Sequence, residues 1–544
     1  MIGIWSIPVG VLLAAGLLIF LMNRGSSNIG AAWFISILAA VFVWGWTFSL
    51  YFRPDIPITS FADVVSAYSA QIPVPGALAG LRFFVLDGVS YPYMLSVSSL
   101  LVVLLLMSPS HMESQTAPRL WFFYLLIAAI GYLTVSSNSV VFIIYGWVIF
   151  DAIDLAAQFL QARSERIPRS FLIAVGIRFI GTLLAASSLA LSRAESPDGF
   201  SAFISLNGGA YLLTACALRM GIMPITQPYS EMSSSRIGLG TMLRLVSVLT
   251  VMPVMSRVPL AGLKPGLLFL LNAAGVFAAL TGAVGWLLSE NSFTGITYAA
   301  MAICGMAFVS ALGSQQDALI IWGVSIALTC APLSLYRIHN PFMNVLAFLV
   351  VLCFSGLPYT PNAVGWKGLI REPFVPGNVL FILVMIFLIG GAILHIIRSE
   401  GRKFSELEPW MRSVYPIGFV MAAGTHVFIS MTSFDRPFHL GVISSSVIAA
   451  AGGILLALSV RFMPESRRTQ NAAAWGQTLL SLFWRGMQRL LDMDWLFALG
   501  QWVLWGIRKV FLAVSSVLEN NGGLIWEILM MILLLAAAFT GSNF

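Results

Sequence analysis

Long apolar segments separated by short polar ones run along almost the whole chain. Most hold close to the roughly 20 residues that an α-helix needs to cross the hydrocarbon core of a bilayer. We count about sixteen such spans. They lie near 3–23, 31–52, 84–107, 119–134, 138–160, 168–192, 203–222, 237–256, 266–288, 293–312, 316–335, 343–357, 376–398, 413–432, 439–461 and 522–540. The pattern predicts an all-α polytopic membrane protein.

The composition narrows the possible functions. Of the 544 residues, 59% are hydrophobic and 9% are charged, and no polar segment is long enough for a soluble domain. The net charge of +7 is spread over many short loops, so it does not indicate a nucleic-acid partner. The four cysteines lie in apolar runs, without the spacing of a metal site. We expect no cofactor, no metal and no catalysis by this chain alone.

The basic residues also predict the topology. Of the 29 lysines and arginines, eighteen lie in loops after odd-numbered spans and eight in loops after even-numbered spans. Cytoplasmic loops carry the excess of positive charge, so both termini are expected outside. No basic residue precedes the first span, which is expected to be a retained helix and not a cleaved signal. We expect the setting to be a prokaryotic inner (cytoplasmic) membrane.

Charged residues inside the spans are the main functional candidates. Such a residue at a helix centre costs roughly 2.5–3.5 kcal/mol on insertion scales, so it usually faces a protein or water-lined interior. The candidates are Asp87, Asp151, Asp154, Arg178, Arg219 and Arg244.

Asp151 and Asp154 lie three residues apart on the fifth span. This spacing places their side chains on neighbouring faces of one helix, about 4.5 Å apart along the axis. They could share or pass a proton. Alternatively, Asp154 lies toward the cytoplasmic half and pairs with a basic loop residue.

Two spans carry signals of a break. Arg219 precedes Pro224, which cannot donate a backbone hydrogen bond and is expected to free carbonyls near position 220. Glu231 follows, in the polar stretch before the eighth span. Five spans later, Gly356 and Pro358 form a second interruption. Paired interruptions indicate an internal repeat with a pathway at its midplane, and a simple kink is the alternative.

Several segments resemble the antiporter-like membrane subunits of respiratory complex I, Mrp-type antiporters, membrane-bound hydrogenases and inorganic-carbon uptake complexes. The likeness covers about residues 80 to 375, and it rests on the order and spacing of weak motifs. These are Leu86-Asp87-Gly88-Val89-Ser90, Gly146-Trp147, Leu218-Arg219-Met220-Gly221-Ile222-Met223-Pro224, Gln227-Pro228-Tyr229-Ser230-Glu231, Ser355-Gly356-Leu357-Pro358 and Trp366-Lys367.

The resemblance implies two five-helix repeats of inverted topology, each with a broken helix. The implied units are 1–110 for helices one to three, 111–260 and 261–400 for the repeats, 401–470 for helices fourteen and fifteen, 471–520 for a lateral amphipathic region and 521–544 for the last helix. It also implies a half-channel in which a Glu–Lys pair is coupled to a central lysine.

This sequence departs from the family pattern at the implied proton path. Val148 occupies the position of the fifth-helix Glu, and Asp151, one turn on, is the candidate replacement. Arg178 lies near a position where the family often has Asp, and Arg219 stands at the position of the seventh-helix Lys. Gly238 stands where the eighth helix usually has His, and Phe293 stands where the family has a Lys before helix ten. Cys330, or a close neighbour, replaces the central Lys of the eleventh helix. A guanidinium stays charged and cannot relay a proton as lysine can. The second half then retains only His395 and His426 as candidate titratable groups.

Residues 473–517 mix tryptophan and leucine with arginine and aspartate. This mixture is typical of amphipathic helices that lie along a membrane interface, as one long or two short helices. The segment either rests on the membrane surface or contacts a partner.

We therefore expect an antiporter-like subunit of a larger membrane complex. Its charged pathway would move protons, or would couple a proton gradient to the chemistry of a soluble or peripheral partner. The other partners are membrane subunits and the lipid bilayer. The alternatives are a non-conducting scaffold with a degenerate ion pathway and an autonomous cation/proton transporter.

Overall fold

The structure is a computed structural model of the whole chain. It describes residues 2–25, 29–52, 84, 86–111, 117–161, 169–195, 206–222, 237–260, 263–289, 292–336, 338–370, 375–398, 402–433, 440–462, 486, 494–519 and 522–540. The chain forms two compact units, Met1–Trp484 and Arg485–Phe544.

Fifteen long helices follow one another in the described part of the first unit. They are α1 (Ile2–Gly25), α2 (Ile29–Leu50), α3 (Ser90–Met107), α4 (Ala117–Ser136), α5 (Val140–Gln161), α6 (Arg169–Glu195), α7 (Leu206–Arg219), α8 (Ile237–Arg257), α9 (Pro265–Leu288), α10 (Ser292–Leu312), α11 (Gln316–Ser334), α12 (Pro341–Phe354), α13 (Pro376–Arg398), α14 (Pro409–Ser433) and α15 (Leu440–Phe462). Short helices cover Ser108–His111, Ala363–Lys367 and Phe404–Glu406.

The helices coincide with the predicted spans, and the prediction of an all-α polytopic membrane protein is confirmed. Within the described residues, eleven helices are long and apolar enough to cross a membrane. Four shorter apolar helices, Ile7–Met22, Leu120–Ser136, Pro341–Phe354 and Trp526–Leu535, lie in other predicted spans. The remaining span is the 14-residue α7.

Four helices form the centre of the first unit. Of their most apolar windows, 94% is buried in α3, α8 and α11, and 100% in α10. Close packing needs small side chains, as between α9 and α10. A Cβ added to Gly282 would lie 2.6 Å from the backbone of α10, and one added to Gly305 would lie 2.5 Å from the Gly275 carbonyl of α9. The peripheral α2, α5 and α6 bury a smaller share of their surface.

Two helices end at glycines in the left-handed conformation. At the end of α7, the Ile222 N–H donates to the Ala217 carbonyl and the Gly221 N–H to the Leu218 carbonyl, and φ of Gly221 is +71°. This is the Schellman arrangement that satisfies the last carbonyls of a helix. At the end of α12, Gly356 has φ +72°.

The strand content of the described residues is small. β1 (Ile338–His339) pairs in parallel with β2 (Arg402–Lys403), and Phe84 forms an isolated bridge with Ser137.

The second unit contains α16 (Asp494–Glu519) and α17 (Gly522–Thr540). α16 begins well inside the predicted amphipathic region 473–517, and most of the preceding residues of that region lie outside the described part. Trp502 and Trp505 are exposed, and the Lys509 ammonium lies 3.7 Å from the centroid of a Trp505 ring. That α16 lies along a membrane interface remains a prediction, and so do the domain boundaries.

Candidate functional site

Four charged side chains meet where α5, α6 and α7 come together. Asp151 and Asp154 lie on α5, Arg178 on α6 and Arg219 in the last turn of α7. We call these four residues the charge cluster. Because the two aspartates are three residues apart on one helix, both can face the neighbouring helices, one turn above the other.

Arg219 and Asp151 form a two-point ion pair. Arg219 Nη1 lies 2.8 Å from Asp151 Oδ2, and Nη2 lies 3.1 Å from Oδ1. Such parallel bonds fix the relative orientation of a guanidinium and a carboxylate. The Arg219 side chain is 0% exposed and that of Asp151 is 16% exposed.

Arg178 joins the two aspartates. Its Nη2 lies 2.5 Å from Asp154 Oδ2, and its Nε lies 3.6 Å from Asp151 Oδ1. The alternative prediction for Asp154 was a basic loop residue as partner. In the structure Asp154 pairs instead with Arg178, which lies inside a span, because α6 packs against α5.

Arg219 has further contacts that do not involve the aspartates. Its Nη1 donates to Thr182 Oγ1 at 2.8 Å and to the Arg178 carbonyl at 3.3 Å, and its guanidinium carbon lies 4.7 Å from the centroid of a Trp147 ring. Gly181 permits this close approach, because a Cβ there would lie 3.0 Å from Arg219 Cγ. Arg219 is thus fixed from several sides.

The charges of the cluster sum to zero, from two carboxylates and two guanidiniums. The guanidiniums stay charged, so only the carboxylates can gain or lose a proton. Asp154 is almost fully buried against Arg178, whereas Asp151 is the most exposed of the four side chains. Asp151 is therefore the member best placed to exchange a proton.

α7 ends at Arg219, five residues before Pro224. The Gly221 and Ile222 N–H groups donate to the Leu218 and Ala217 carbonyls, so these two carbonyls of the last turn have partners. Glycine sets the end because it adopts positive φ without steric cost. Pro224 itself and Glu231 lie outside the described residues.

The corresponding break in the second half is surrounded by neutral polar groups. Asn362 Nδ2 donates to the Phe354 carbonyl at the end of α12, at 2.8 Å. Ser325 of α11 lies 3.1 Å from Asn362 Oδ1 and 3.2 Å from His426 Nε2. Pro358, predicted as part of this break, lies in the loop between α12 and the following short helix.

His395 lies on α13, where it contacts the end of α11. Its Nε2 is 2.9 Å from the Leu333 carbonyl, and its ring lies 5.2 Å from that of Trp286. His395 and His426 are both buried, at 7% and 1% exposure. Ser325 and the Leu333 carbonyl, which contact them, both lie on α11.

The positions at which the sequence departs from the family pattern are apolar or tightly packed. Val148 is exposed on α5, whereas Asp151 one turn along is in the cluster. A Cβ on Gly238 would lie 2.0 Å from Tyr124 Oη, so this site has no room for histidine without rearrangement. Cys330 is buried on α11, as are the other three cysteines. Arg244 is half-buried on α8, and the Phe293 side chain lies outside the described part.

One buried ion pair was not predicted. Arg257 Nη2 lies 3.0 Å from Asp87 Oδ2 and 2.7 Å from Ser90 Oγ, and Arg257 Nη1 donates to the Ser137 carbonyl at 2.8 Å. Asp87 Oδ1 also accepts from the Ser90 N–H, at 2.6 Å, at the first residue of α3. Nothing in the sequence indicated a partner for Asp87 that lies 170 residues away.

Neither the protein-family models nor the curated protein sequences give a match to this chain. Solved structures do match it. A chain of the Mrp complex from Dietzia sp. DQ12-45-1b is 14% identical, with a TM-score of 0.72, and the match covers 99% of this chain and 63% of that chain. This chain thus spans less than two thirds of that relative's length.

Two further solved structures share the fold. A chain of the membrane-bound sulfane sulfur reductase, an archaeal respiratory membrane complex, is 16% identical over 98% of this chain and 100% of that chain, with a TM-score of 0.61. A chain of respiratory complex I from Thermus thermophilus is 16% identical over 83% of this chain and 99% of that chain, with a TM-score of 0.52.

The fold and the apolar helices define the class: an integral multi-pass membrane protein with the architecture of the antiporter-like subunits. The resemblance inferred from the sequence motifs is confirmed at the level of the fold. At identities of 14% and 16% the matches show a shared fold, and what this chain does must be argued from its own residues.

Proposed function

We propose that this protein is a membrane subunit of a multi-subunit energy-coupling complex, in which the charge cluster takes part in moving protons or in coupling a proton gradient to a partner's chemistry. The three structural relatives are chains of multi-subunit membrane complexes, which supports other membrane subunits as partners. A soluble or peripheral partner would carry the driving chemistry. The inner-membrane location with both termini outside belongs to the same proposal.

The observation that carries the proposal is the buried ion-pair cluster at the end of α7. Four charged groups inside apolar helices are costly, and such groups in membrane proteins commonly belong to ion or proton pathways. The cluster also includes the last turn of α7, just before the break that the sequence predicts at Pro224, and transporter folds build their sites at such breaks.

The contacts assign different roles to the four residues. Arg219 is a fixed positive charge, because Thr182, the Arg178 carbonyl and Trp147 hold it independently of Asp151. Asp151 can then be neutralised by a proton without displacing its partner. Arg178 fixes Asp154 and leaves its Nε near Asp151, so protonation of Asp151 changes the electrostatic balance along α6.

Proton flux in vesicles containing the purified complex tests this function. We expect Asp151→Asn to reduce flux at least about tenfold, since a positioned proton-transfer group typically contributes about 10²–10⁴-fold. Val148→Asn introduces the same side chain one turn away on the exposed face of α5 and serves as the matched control. Equal flux in the unmodified protein, Asp151→Asn and Arg219→Ala would contradict the proposal.

The second candidate function is a non-conducting scaffold. It is favoured by the neutral groups at the second break and by two arginines that cannot relay protons. A scaffold predicts that Asp151→Asn and Arg219→Ala change the set of co-purifying subunits, while proton flux through the remaining complex is unaffected. Subunit composition in mild detergent, measured beside flux, separates the two functions.

A further inference from the structure

The break between α12 and the short helix Ala363–Lys367 lies deep inside the bundle. Asn362 Nδ2 donates to the Phe354 carbonyl at 2.8 Å, so the two ends of the break meet. Asn362 Oδ1 also lies 3.1 Å from Ser325 Oγ, at the centre of the 19-residue α11. A helix of this length is about 28 Å long, close to the roughly 30 Å of a hydrocarbon core. The break therefore lies near the middle of the membrane-spanning layer.

A tight turn forms the outward part of this break. The Thr360 N–H donates to the Leu357 carbonyl at 2.9 Å, which closes a four-residue turn. Its two central residues are Pro358, whose ring fixes φ near about −65°, and Tyr359, whose φ is +69°. This combination is a type II turn, in which the residue after proline has positive φ and is usually glycine.

Tyr359 combines a strained backbone with an outward side chain. Positive φ is rare and sterically costly for a bulky residue. Tyr359 is also 70% exposed, so packing within this chain gives little return for that cost. Residues held in such conformations cluster at functional sites, including those that clamp a ligand or a partner. The tyrosine is therefore best explained by something outside the chain.

The depth of Tyr359 limits what can lie against it. Three residues separate Tyr359 from Asn362, so their Cα atoms are at most about 10 Å apart. A hydrocarbon core extends about 15 Å on either side of its centre. The turn thus opens outward at the depth of the lipid chains. Irregular backbone is tolerated there only where protein or water covers it, so lipid is a poor neighbour for this turn.

The outer side of α12 leads to the same place. Four apolar side chains at helical spacing are exposed along it and end one turn before the break: Phe342, Val345, Leu349 and Leu352. Residues spaced by three and four lie on one face of a helix. We call these four residues together with Tyr359 the α12 face.

We propose that the α12 face is the contact surface for a transmembrane helix of a neighbouring subunit, with Tyr359 as the anchor at the break. That helix is apolar, has small residues where it passes the turn, and carries a polar group that meets the Tyr359 hydroxyl. The inference rests on the proposed function, in which other membrane subunits are partners. The structural relatives are themselves chains of multi-subunit membrane complexes.

Photocrosslinking in the complex purified in mild detergent tests the contact. Benzoylphenylalanine in place of Tyr359 should, on irradiation, join to a transmembrane peptide of one co-purifying subunit, identified by peptide mass. The same replacement of Leu455, an exposed apolar residue of α15, is the matched control and should not join to that subunit. A lipid adduct, a dimer of this chain or no adduct at position 359 would overturn the inference. The same adduct from both positions would also overturn it.

Tyr359→Gly separates the contact from the stability of the chain. Glycine takes positive φ without strain, so the unfolding temperature of the full-length chain purified alone should not fall. The amount of co-purifying membrane subunits should fall at least about fivefold, because an interfacial tyrosine anchor is lost. Ser314→Gly is the matched control: Ser314 has φ +56° and is exposed in the loop after α10, and its replacement should leave assembly unchanged.

The outcomes distinguish this inference from the proposed function. If Tyr359→Gly retains its subunits as fully as Ser314→Gly does, the α12 face is not the contact surface, and the proposed function stands. If no membrane subunit co-purifies with the unmodified chain, both proposals fail.

Discussion

The two halves of the protein both end a helix at a left-handed glycine, but different chemistry surrounds the two ends. Gly221 and Gly356 have φ of +71° and +72°. The end of α7 carries a guanidinium paired with a carboxylate, whereas the end of α12 is capped by an amide that contacts a serine beside a histidine.

This difference shows that a left-handed helix end can form with or without a charged ion pair beside it. A helix C-terminus presents carbonyls and a negative dipole end, which either a cation or an amide N–H can satisfy. The last turn of α7 carries Arg219, whose buried guanidinium is paired with Asp151. The groups that contact one another at the end of α12 are Asn362, Ser325 and His426, with no carboxylate or guanidinium among them.

The first prediction is that the loss of one polar group destabilises the protein more at the end of α7 than at the end of α12. Arg219→Met should lower the free energy of unfolding by about 3–5 kcal/mol, because removing one partner of a buried pair leaves the other charge uncompensated. The apparent unfolding temperature in detergent measures this effect. Adding Asp151→Asn to Arg219→Met should recover part of the loss. A double variant that is less stable than the single variant would show that the pair is not the cause.

Gly356 should be sensitive to substitution. Gly356→Ala forces an L-residue into the left-handed region, at about 1–2 kcal/mol. The new Cβ would also lie 1.9 Å from Trp366 Nε1, which adds about 1–3 kcal/mol of overpacking. Gly377→Ala, where a Cβ meets nothing within 4 Å, is the control. If Gly356→Ala unfolded at the same temperature as Gly377→Ala, the helix end at Gly356 would not be rigid.

The neutral cap should matter less than the ion pair. Asn362→Ala removes the donor to the Phe354 carbonyl and should cost about 1–3 kcal/mol, the penalty for a buried acceptor left without its bond. The same unfolding measurement applies, with Ser459→Ala on α15 as an exposed control. A loss as large as that of Arg219→Met would erase the contrast between the halves.

Several features of this comparison were predictable from sequence, and others were not. Asp151 and Arg219 were singled out because charged residues are rare in apolar spans, and the structure places them in contact. The involvement of Arg178 with both aspartates depends on how α6 packs against α5. No periodicity within either span specifies that packing.

The helix ends show a similar limit. The sequence placed the first break near Pro224, because proline is the stronger signal in a linear pattern. The end at Gly221 depends on backbone conformation, and glycine occurs at many other positions in this chain. The Asp87–Arg257 pair and the His426–Ser325 contact join residues more than 100 positions apart, so only the assembled bundle reveals them.

The smallest expected effect concerns the aromatic support of the cluster. Trp147 Nε1 donates to Thr250 Oγ1 at 3.1 Å, and the same side chain lies beside Arg219. Thr250→Val should cost about 0.5–1.5 kcal/mol, the net value of one hydrogen bond. We expect a small decrease in unfolding temperature and little change in proton flux. A large loss of flux would mean that Trp147 has a more direct role than support.

The central claim is that Asp151 is the proton-exchanging member of a cluster whose arginines are fixed. Proton flux in vesicles with Asp151→Asn, Asp151→Glu and the unmodified complex tests it most directly. We expect the asparagine variant to lose flux and the glutamate variant, which retains a carboxylate, to keep a substantial part of it. Undiminished flux in Asp151→Asn, with the complex intact, would contradict the account.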